Sequence, residues 1–310
     1  MTVDPAWPEL TTQQDGPTIA ALHLFSQVAG KMAVALLPWR NHSWHLTLHV
    51  HPHGLRTEPL YGAGAPFELG FDLMDGIFTC ADEAGVRSLP LRPMSVADFH
   101  AGVLDLVRRP IRIHPVPNEL EPAIPFAEDR QVRAYAPDSA RRLLGAVLNA
   151  DRVFRLFRSA FLGKVSPVHF FWGSFDLAVT RFSGRRAPRH PGGIPNLPDA
   201  VTREAYSHEV SSAGFWPGGA GGPGGPFFYS YAYPTPDGFS EAKVEPSEAR
   251  FDQGLGEFVL DYEAVRQASD PDACLLAFLR STYETAANLA GWDRAALECG
   301  IGRPGIPRNV

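Results

Sequence analysis

The sequence predicts an α+β fold with a mainly antiparallel sheet, in two similar helix–strands–helix halves packed as one compact unit. Short segments that alternate apolar and polar residues, separated by turn residues, are typical of antiparallel strands. Longer segments with apolar residues at helical spacing lie before and after these strands. The order helix, strands, helix then recurs, offset by about 130 to 170 residues, which indicates a repeat. A chain of 310 residues can bury a core of this size.

The N-terminal half is predicted to span residues 1–115. A first helix begins near Pro17, and strands follow at Met32–Leu37 and Trp44–Val50. The segment Phe67–Ala81 contains an Asp-Gly turn between two alternating runs, which predicts a hairpin. Ser95 begins a capping-box pattern, so a second helix is expected to start there.

A proline-spaced connector is predicted at residues 116–137, and the C-terminal half at 138–310. The helix expected over Asp138–Phe161 has a continuous apolar stripe with no proline inside it. Two loops rich in Gly and Pro, Ala187–Ala200 and Ala213–Pro226, flank a strand beginning near Tyr206. Long loops of this composition are often functional, so the second loop is predicted to be mobile and to close over a cleft.

The repeat can be aligned residue by residue. If Ser43–Leu46 matches Ser174–Leu177, His45 is equivalent to Asp176, and a pseudo-twofold arrangement would bring both towards one cleft. An Asp beside a His fixes the imidazole tautomer and raises its basicity. Alternatively, His45 and Asp176 form a buried hydrogen-bonded pair that only supports the interface between the halves. The alternative to a duplication is that two unrelated stretches share a common strand meander.

Composition and charge limit the class of protein. The chain is 45% hydrophobic and 20% charged, with a net charge of −6, and it has no long Lys/Arg run. Nucleic acid is therefore excluded as a predicted main partner. The first residues do not resemble a signal peptide, and the apolar runs are shorter than a membrane span. These patterns predict a cytoplasmic protein that binds a small molecule.

Five histidines lie in and around the second predicted strand, Trp44–Val50. His49, His51 and His53 alternate with apolar residues, which predicts one solvated polar face. His42 and His45 flank Trp44 at the entrance of a strand and are candidates for a site, although a structural role suits either one alone. His208-Glu209 would begin an HExxH zinc motif, but position 212 is Ser, so that motif is absent.

The predicted site combines ionisable and aromatic residues from several strands. The candidate catalytic residues are His45, Asp176, His208 and Glu209. The candidate ligand-binding residues are His42, His169, Trp172, Arg181, Tyr206 and Trp216. Three of the histidines, His42, His45 and His208, are candidate ligands for Zn or Fe, since metals prefer several His or carboxylate groups.

Several of these candidates also have a structural interpretation. His169 lies among apolar residues and could be a hydrogen-bonded core histidine. Arg181 could clamp an anion or pair with Asp176 or Glu209. Alternating tyrosines are common in strands for packing reasons alone.

Four strings in the sequence resemble one known family. They are FLGKVSPVHFFWGSFDLAVTRFSGRR (Phe161–Arg186), NHSWH (Asn41–His45), SLPLRPMSVADF (Ser88–Phe99) and AYSHEV (Ala205–Val210). The chain resembles the bacterial family DUF5996, roughly from Trp7 to Leu297. The resemblance implies no activity, cofactor or catalytic residue.

The residues favour an enzyme that acts on a small polar or anionic molecule. Its acid–base or metal-assisted chemistry would take place in a His/Asp/Glu/Arg pocket between the halves. The alternatives are a non-catalytic small-molecule binding protein and a scaffold in which the aromatic segment is only core.

Overall fold

The structure is a computed structural model that describes residues 6–62, 64–220 and 224–308. It confirms the predicted α+β class with a mainly antiparallel sheet. Within the described residues, eleven strands form one sheet in which every neighbouring pair is antiparallel, and two short strands form a separate ribbon. The predicted duplication of the halves stays a prediction.

The helices and strands are numbered in chain order. The helices are α1 (Thr12–Leu36), α2 (Val96–Val107), α3 (Pro137–Arg158), α4 (Asp199–Ala205), α5 (Tyr262–Arg266), α6 (Pro271–Leu289) and α7 (Arg294–Leu297). The strands are β1 (Thr47–His51), β2 (Gly54–Arg56), β3 (Glu68–Asp72), β4 (Ile77–Asp82), β5 (Gly85–Pro90), β6 (Met94–Ser95), β7 (Val132–Arg133), β8 (His169–Phe171), β9 (Asp176–Arg186), β10 (His208–Trp216), β11 (Phe227–Tyr233), β12 (Arg250–Asp252) and β13 (Glu257–Asp261).

The two halves share the large sheet. Its strand order is β12-β13-β11-β10-β9-β8-β1-β2-β3-β4-β5, so β1 of the first half pairs with β8 of the second. The small ribbon pairs β6 with β7, which lies in the predicted connector. The connector is therefore fastened to the N-terminal half by backbone hydrogen bonds.

The long helices pack on one face of the sheet. Side chains at alternate positions of the strands, such as Leu177, Phe215 and Phe228, belong to the same buried cluster as the apolar residues of α1, α3 and α6. Phe154 of α3 packs edge to face against Phe228, with ring centroids 6.4 Å apart. The main core therefore lies on this face of the sheet, and the long helices do not cover the opposite face.

The first helix is longer than predicted. Thr11 caps α1 by accepting a hydrogen bond from the Gln14 amide at 3.3 Å, six residues before Pro17. The helix then continues to Leu36, so the predicted strand Met32–Leu37 is wrong. A short, fully apolar run fits a buried helix as well as a strand, and packing decides between them. Among the described residues, α1 alone is long and apolar enough for a membrane span, and most of its apolar stretch is buried inside the fold.

Several local predictions are confirmed. Ser95 caps α2 by accepting a hydrogen bond from the Asp98 amide at 3.0 Å. The predicted helix over Asp138–Phe161 is α3, which ends at Arg158, and the predicted hairpin is β3–β4. These elements depend on short-range patterns, so the sequence alone suffices to predict them.

Candidate functional site

The main pocket lies on the sheet face opposite the long helices. Most of its lining comes from the C-terminal half, and residues 42–44 and 46 of the N-terminal half and 118–119 of the connector complete it. It has a volume of ≈ 440 Å³, which is within the usual range for small-molecule sites. Asp176, Ala178 and Thr180 of β9 face it, because strand side chains alternate and their neighbours point into the core. The register extends this face, since Thr180 lies opposite Ser212, which lies opposite Tyr231.

Irregular segments cover this pocket. Glu119 of the connector donates its amide hydrogen to the Pro195 carbonyl at 2.9 Å, which joins the connector to the loop before α4. Asn196 of that loop donates its side-chain amide to the Leu120 carbonyl at 2.8 Å. The imidazole of His42 contacts the Ala205 carbonyl through Nδ1 at 3.0 Å, so the end of α4 is held as well.

Backbone strain is concentrated around the pocket. Six described residues other than glycine have positive φ, and five of them line the pocket or lie beside lining residues: His42, Ser43, Glu119, Phe175 and Asn196. The sixth, Arg108, ends α2 in a left-handed conformation. Strained residues persist where surrounding contacts hold them, and they are often found at functional sites.

Asp176 is the best-positioned carboxyl group in the pocket. It is 6% exposed, and each of its oxygens accepts a hydrogen bond, one from the Ser174 hydroxyl and one from the Tyr229 hydroxyl. Burial raises the pKa of Asp176, whereas the two hydroxyl donors oppose that shift. The result is a carboxyl group fixed in orientation at the floor of the pocket.

Glu119 contributes a second carboxyl group, from the connector. Burial, together with the charge of nearby Asp176, raises the pKa of Glu119 to about 7. Glu119 is partly exposed and is one of the residues that line the pocket. At neutral pH this carboxyl group is therefore divided between its neutral and ionised forms.

Glu257 and three tyrosines complete the polar lining. Burial, followed by the charges of Asp176 and Asp252, raises the pKa of Glu257 to about 8. The hydroxyls of Tyr206 and Tyr231 are hydrogen-bonded to each other at 2.9 Å. Burial also raises the pKa of all three tyrosines, Tyr206, Tyr229 and Tyr231, so they remain neutral donors.

The remaining wall is apolar and largely aromatic. Its aromatic members are Trp44, Phe171, Trp172, Phe182, Trp216 and Phe227. Gly30 of α1 is required next to one of them, because a Cβ at this position would lie 2.1 Å from Cδ2 of Trp172. The Trp172 indole is thus packed against α1, and only part of it forms pocket wall.

Three buried polar atoms of lining residues have no hydrogen-bond partner. They are the Ser43 hydroxyl, the Trp172 indole nitrogen and the Thr202 hydroxyl. Each of these residues is at most 6% exposed. A buried polar group without a partner costs free energy, so these atoms indicate where a ligand or an ordered water would bind.

Of the predicted histidines, His42 lies at the pocket and His208 lies next to it. The rings of His42 and His208 are 6.1 Å apart. His42 Nε2 accepts a hydrogen bond from Lys164 Nζ at 2.5 Å, consistent with Nδ1 donating to the Ala205 carbonyl. Desolvation by burial is the main cause of a lowered pKa for His42, so its imidazole is neutral at physiological pH.

His45 and His169 lie outside the pocket lining. His45 is buried against the edge of Trp39, and its Nδ1 accepts the Arg40 amide hydrogen at 3.2 Å. No described contact joins His45 to Asp176, so the structure does not form the predicted shared cleft. His169 is buried between Phe171 and Trp44, and burial lowers its pKa to about 3. Both histidines therefore act as neutral packing groups in this structure.

Arg181 and Glu209 do not line the pocket. Arg181 alternates with Thr180 on β9 and points into the helix layer, where its guanidinium lies 3.5 Å from the Phe157 ring centroid and 4.3 Å from that of Tyr283. Glu209 forms a salt bridge with Arg185 at 2.7 Å. The predicted roles of these two residues in ligand binding and catalysis have no support from their positions.

The candidate metal ligands His42, His45 and His208 do not converge. In the part of the chain that the structure describes, one group of three such residues has ligand atoms all within 4.8 Å, namely His53, Asp72 and Asp75. That group is largely exposed and lies in the N-terminal half. Acid groups are often clustered on surfaces without a metal, so it supports no site on its own.

The predicted mobile loop begins later than expected. Residues 213–216 belong to β10, and Ala220 donates its amide hydrogen to His23 of α1 at 3.2 Å. Residues 221–223 are outside the described residues. Trp216 lines the pocket from the end of β10, and Tyr206 lines it from the end of α4, two residues before β10 begins at His208.

The sequence did not indicate Glu119 or Glu257 as site residues. Glu119 lies in a proline-spaced segment without periodicity, and Glu257 is a single carboxyl group at the start of a short strand. The alternating tyrosines of β11 were the one available signal, because they share the parity that faces the pocket.

The comparisons with known proteins give a family and nothing about activity. No curated protein and no solved structure matches the chain. A family model described as "Family of unknown function (DUF5996)" matches residues 7–299. The match covers most of the 310 residues, so the chain belongs to the DUF5996 family.

Proposed function

We propose that the protein is an enzyme that acts on a small molecule bound in the pocket, using Glu119 and Asp176 for acid–base chemistry. The observation that carries the proposal is that Glu119 has a pKa of about 7 and lines the same pocket as Asp176, which is buried and oriented by hydrogen bonds. A general acid or base works best when its pKa is near the working pH. A pair of carboxyl groups in different environments is a common way to obtain one.

The two carboxyl groups have different roles in this proposal. Glu119 gives or takes the proton, since no described hydrogen bond occupies its side chain. Ser174 and Tyr229 orient the Asp176 carboxyl group, and in its ionised form its field favours positive charge that develops on the substrate. Tyr229 remains a neutral donor between Asp176 and the ligand, because burial raises its pKa.

This proposal changes two sequence-based expectations. The catalytic residues come from the connector and β9, not from the His45 and His208 region. An anionic substrate is not part of the proposal, because three carboxyl groups, Glu119, Asp176 and Glu257, line the pocket. The expectations of a cytoplasmic location and of no nucleic-acid or membrane partner stay predictions.

Thermal-shift screening against a metabolite panel tests the pocket. Ligands should raise the melting temperature of the wild-type chain, and Ala178→Leu should abolish the effect by filling the pocket floor. His49→Leu is the matched control, because it adds a similar apolar group on the open end of the same sheet face. Equal responses from both variants would place binding elsewhere.

Turnover of a confirmed ligand tests the chemistry. Glu119→Gln should bind the ligand but lower kcat by about 100-fold or more, because general acid–base catalysis contributes on this scale. Glu68→Gln, on the open end of the sheet, should leave kcat unchanged. Unchanged turnover in Glu119→Gln would remove Glu119 from the mechanism.

A second candidate function is non-catalytic binding of the same ligand. It is favoured by one observation, namely that both oxygens of Asp176 already accept hydrogen bonds and are suited to holding a ligand. Binding without any conversion of the ligand, measured over hours by mass spectrometry, would support this function over the enzyme.

A further inference from the structure

The charges around the pocket have one sign. Among the described lining residues there are three carboxyl groups, Glu119, Asp176 and Glu257, and neither lysine nor arginine. Asp252 adds a fourth carboxyl group next to Glu257, across the β12–β13 pair. A ligand with a negative charge would meet repulsion from every ionised group that faces it.

Two lysines contact lining residues but do not themselves line the pocket. Lys31 donates its ammonium to the Asn118 side chain and lies 5.9 Å from the Trp172 ring centroid. Lys164 lies over the Phe182 ring at 4.8 Å and donates to His42. Neither ammonium is among the lining groups, so these lysines do not neutralise the carboxyl groups at the floor of the pocket.

Aromatic faces accompany the carboxyl groups. Tyr229 and Tyr231 are stacked with centroids 6.1 Å apart and planes 18° apart, and Trp216 lies 5.3 Å from Phe227. Faces of Trp and Tyr attract cations, and the attraction is larger when water is excluded. Carboxyl groups and aromatic walls together are the usual surroundings of bound amines and quaternary ammonium groups.

The pocket carboxyl groups also lack the neighbours that would keep them ionised. Burial and the charge of Asp176 raise the pKa of Glu119 to about 7, and with Asp252 they raise that of Glu257 to about 8. The groups that face them are Asp176, Asp252 and the three neutral tyrosines described above. His42 is neutral and Lys164 contacts the outer wall, so neither reverses the shifts. A bound cation would supply the missing positive charge.

We infer that the ligand of this pocket is a small organic cation with an apolar body, an amine or a quaternary ammonium compound. The inference rests on the proposed function for the pocket and adds the charge and class of its ligand. Asp176, Glu119 and Glu257 hold the cationic group, and the aromatic walls receive the apolar body.

Three probes with one skeleton and different charge test this inference. They are phenethyltrimethylammonium, phenethyl alcohol and hydrocinnamate, measured by calorimetry and thermal shift on the full chain. The cation should bind about tenfold or more tightly than the alcohol, and hydrocinnamate should not bind. The charge of phenethyltrimethylammonium does not titrate, so any pH dependence of its binding comes from the protein.

The pH dependence gives a second measurement. Affinity for the cation should rise about tenfold between pH 6.5 and 8.5, because ionised carboxyl groups bind it and neutral ones do not. Glu119→Gln/Glu257→Gln should weaken binding and remove this pH dependence, and Glu257→Gln alone should remove part of it. Glu68→Gln, on the open sheet face, should behave as wild type.

The outcomes separate this inference from the proposed function. Tighter binding of hydrocinnamate or of the alcohol at the pocket overturns the cation inference and leaves the proposed function standing. If none of the three probes binds, the cation inference is overturned, and the metabolite screen decides the proposed function independently. Cation binding that the Gln variants do not change overturns the assignment to these carboxyl groups.

Discussion

The two ends of one sheet face differ in what covers them. Thr47 of β1 pairs with Phe171 of β8, which pairs with Asp176 of β9, so odd-numbered residues of β1 share the face that carries the pocket. At the N-terminal end this face is open, with His49 exposed and His51 partly exposed. At the C-terminal end irregular segments cover it and enclose the pocket.

The opposite face is the same at both ends. Leu48, Phe71 and Phe78 of the first half belong to one buried cluster with Phe215 and Phe228 of the second half. The difference therefore comes from connections and not from the strands. Hairpin turns such as that between β4 and β5 are too short to fold over the sheet, whereas residues 187–198 and the connector are long enough.

The ionisable groups at the two ends also differ in their partners. On the open end Arg56 pairs with Glu68 at 3.1 Å and His53 with Asp72 at 3.2 Å, in contact with water. In the covered end Asp176 has serine and tyrosine partners, and no described salt bridge joins Glu119, Asp176 or Glu257 to a cation. Covering a face makes unpaired acids costly, so their retention there suggests a role in binding or chemistry.

The largest effect is expected in the core that both ends share. Phe154 of α3 is 0% exposed, and Phe154→Ala should lower the free energy of unfolding by ~3–5 kcal/mol, because it leaves a large cavity. Urea denaturation measures the change. Leu156→Ala, on the same helix and 38% exposed, is the control and should cost less than about 1 kcal/mol.

A substitution of Arg181 tests whether this buried cation, which lies on the helix side of the sheet, stabilises the covered end. Arg181→Met keeps the apolar volume but loses the contacts with Phe157 and Tyr283, and it should cost about 2 kcal/mol in urea denaturation. Arg185→Met, which removes a half-exposed ion pair with Glu209, should cost less than about 1 kcal/mol. Equal costs would mean that the contacts of Arg181 with Phe157 and Tyr283 add nothing to the stability of the protein.

Glu119 should make the stability of the protein depend on pH. Folding raises the pKa of Glu119 from 4.5 to about 7, so the folded state binds more protons and the free energy of unfolding falls as pH rises through this range. Glu119→Gln should therefore stabilise by about 2 kcal/mol at pH 8.5, less than the full pKa shift would give because the side chain is partly exposed, and by much less at pH 5. Denaturation of both proteins at the two pH values measures it, and a gain independent of pH would contradict it.

The smallest effect is expected on the open end. His49→Ala and His51→Ala should each change the free energy of unfolding by less than about 0.5 kcal/mol, because these side chains contact water on an uncovered face. A cost above about 1 kcal/mol for either variant, measured by urea denaturation, would show that this face is covered in solution.

Local patterns predicted much of the fold. The capping box at Ser95, the uninterrupted stripe of α3 and the turn of the β3–β4 hairpin depend on neighbouring residues, and all three are confirmed. The solvated face of His49 and His51 followed from alternation in the same way. The run Met32–Leu37 was predicted wrongly because a short apolar segment has no period that separates helix from strand.

The site was predicted only in part. Asp176, His42, Trp172, Tyr206 and Trp216 were chosen for their residue types, and they do line the pocket. Arg181 was assigned to the same site, although its odd parity on β9 places it in the helix layer. Residue type indicates chemistry, but alternation assigns the side of the sheet, and the two must agree before a residue is assigned to a site.

By itself the sequence determined the alternation of the strands, the long helices and the choice of a mainly antiparallel sheet, because these depend on spacing along the chain. Only the tertiary structure decided which end of the sheet is covered, and that Glu119, Asp176 and Glu257 line one pocket there, where the charge of Asp176 acts on both glutamates. This arrangement joins segments that lie far apart in the chain. Their burial, and hence the raised pKa of each acid, is a property of the packed fold.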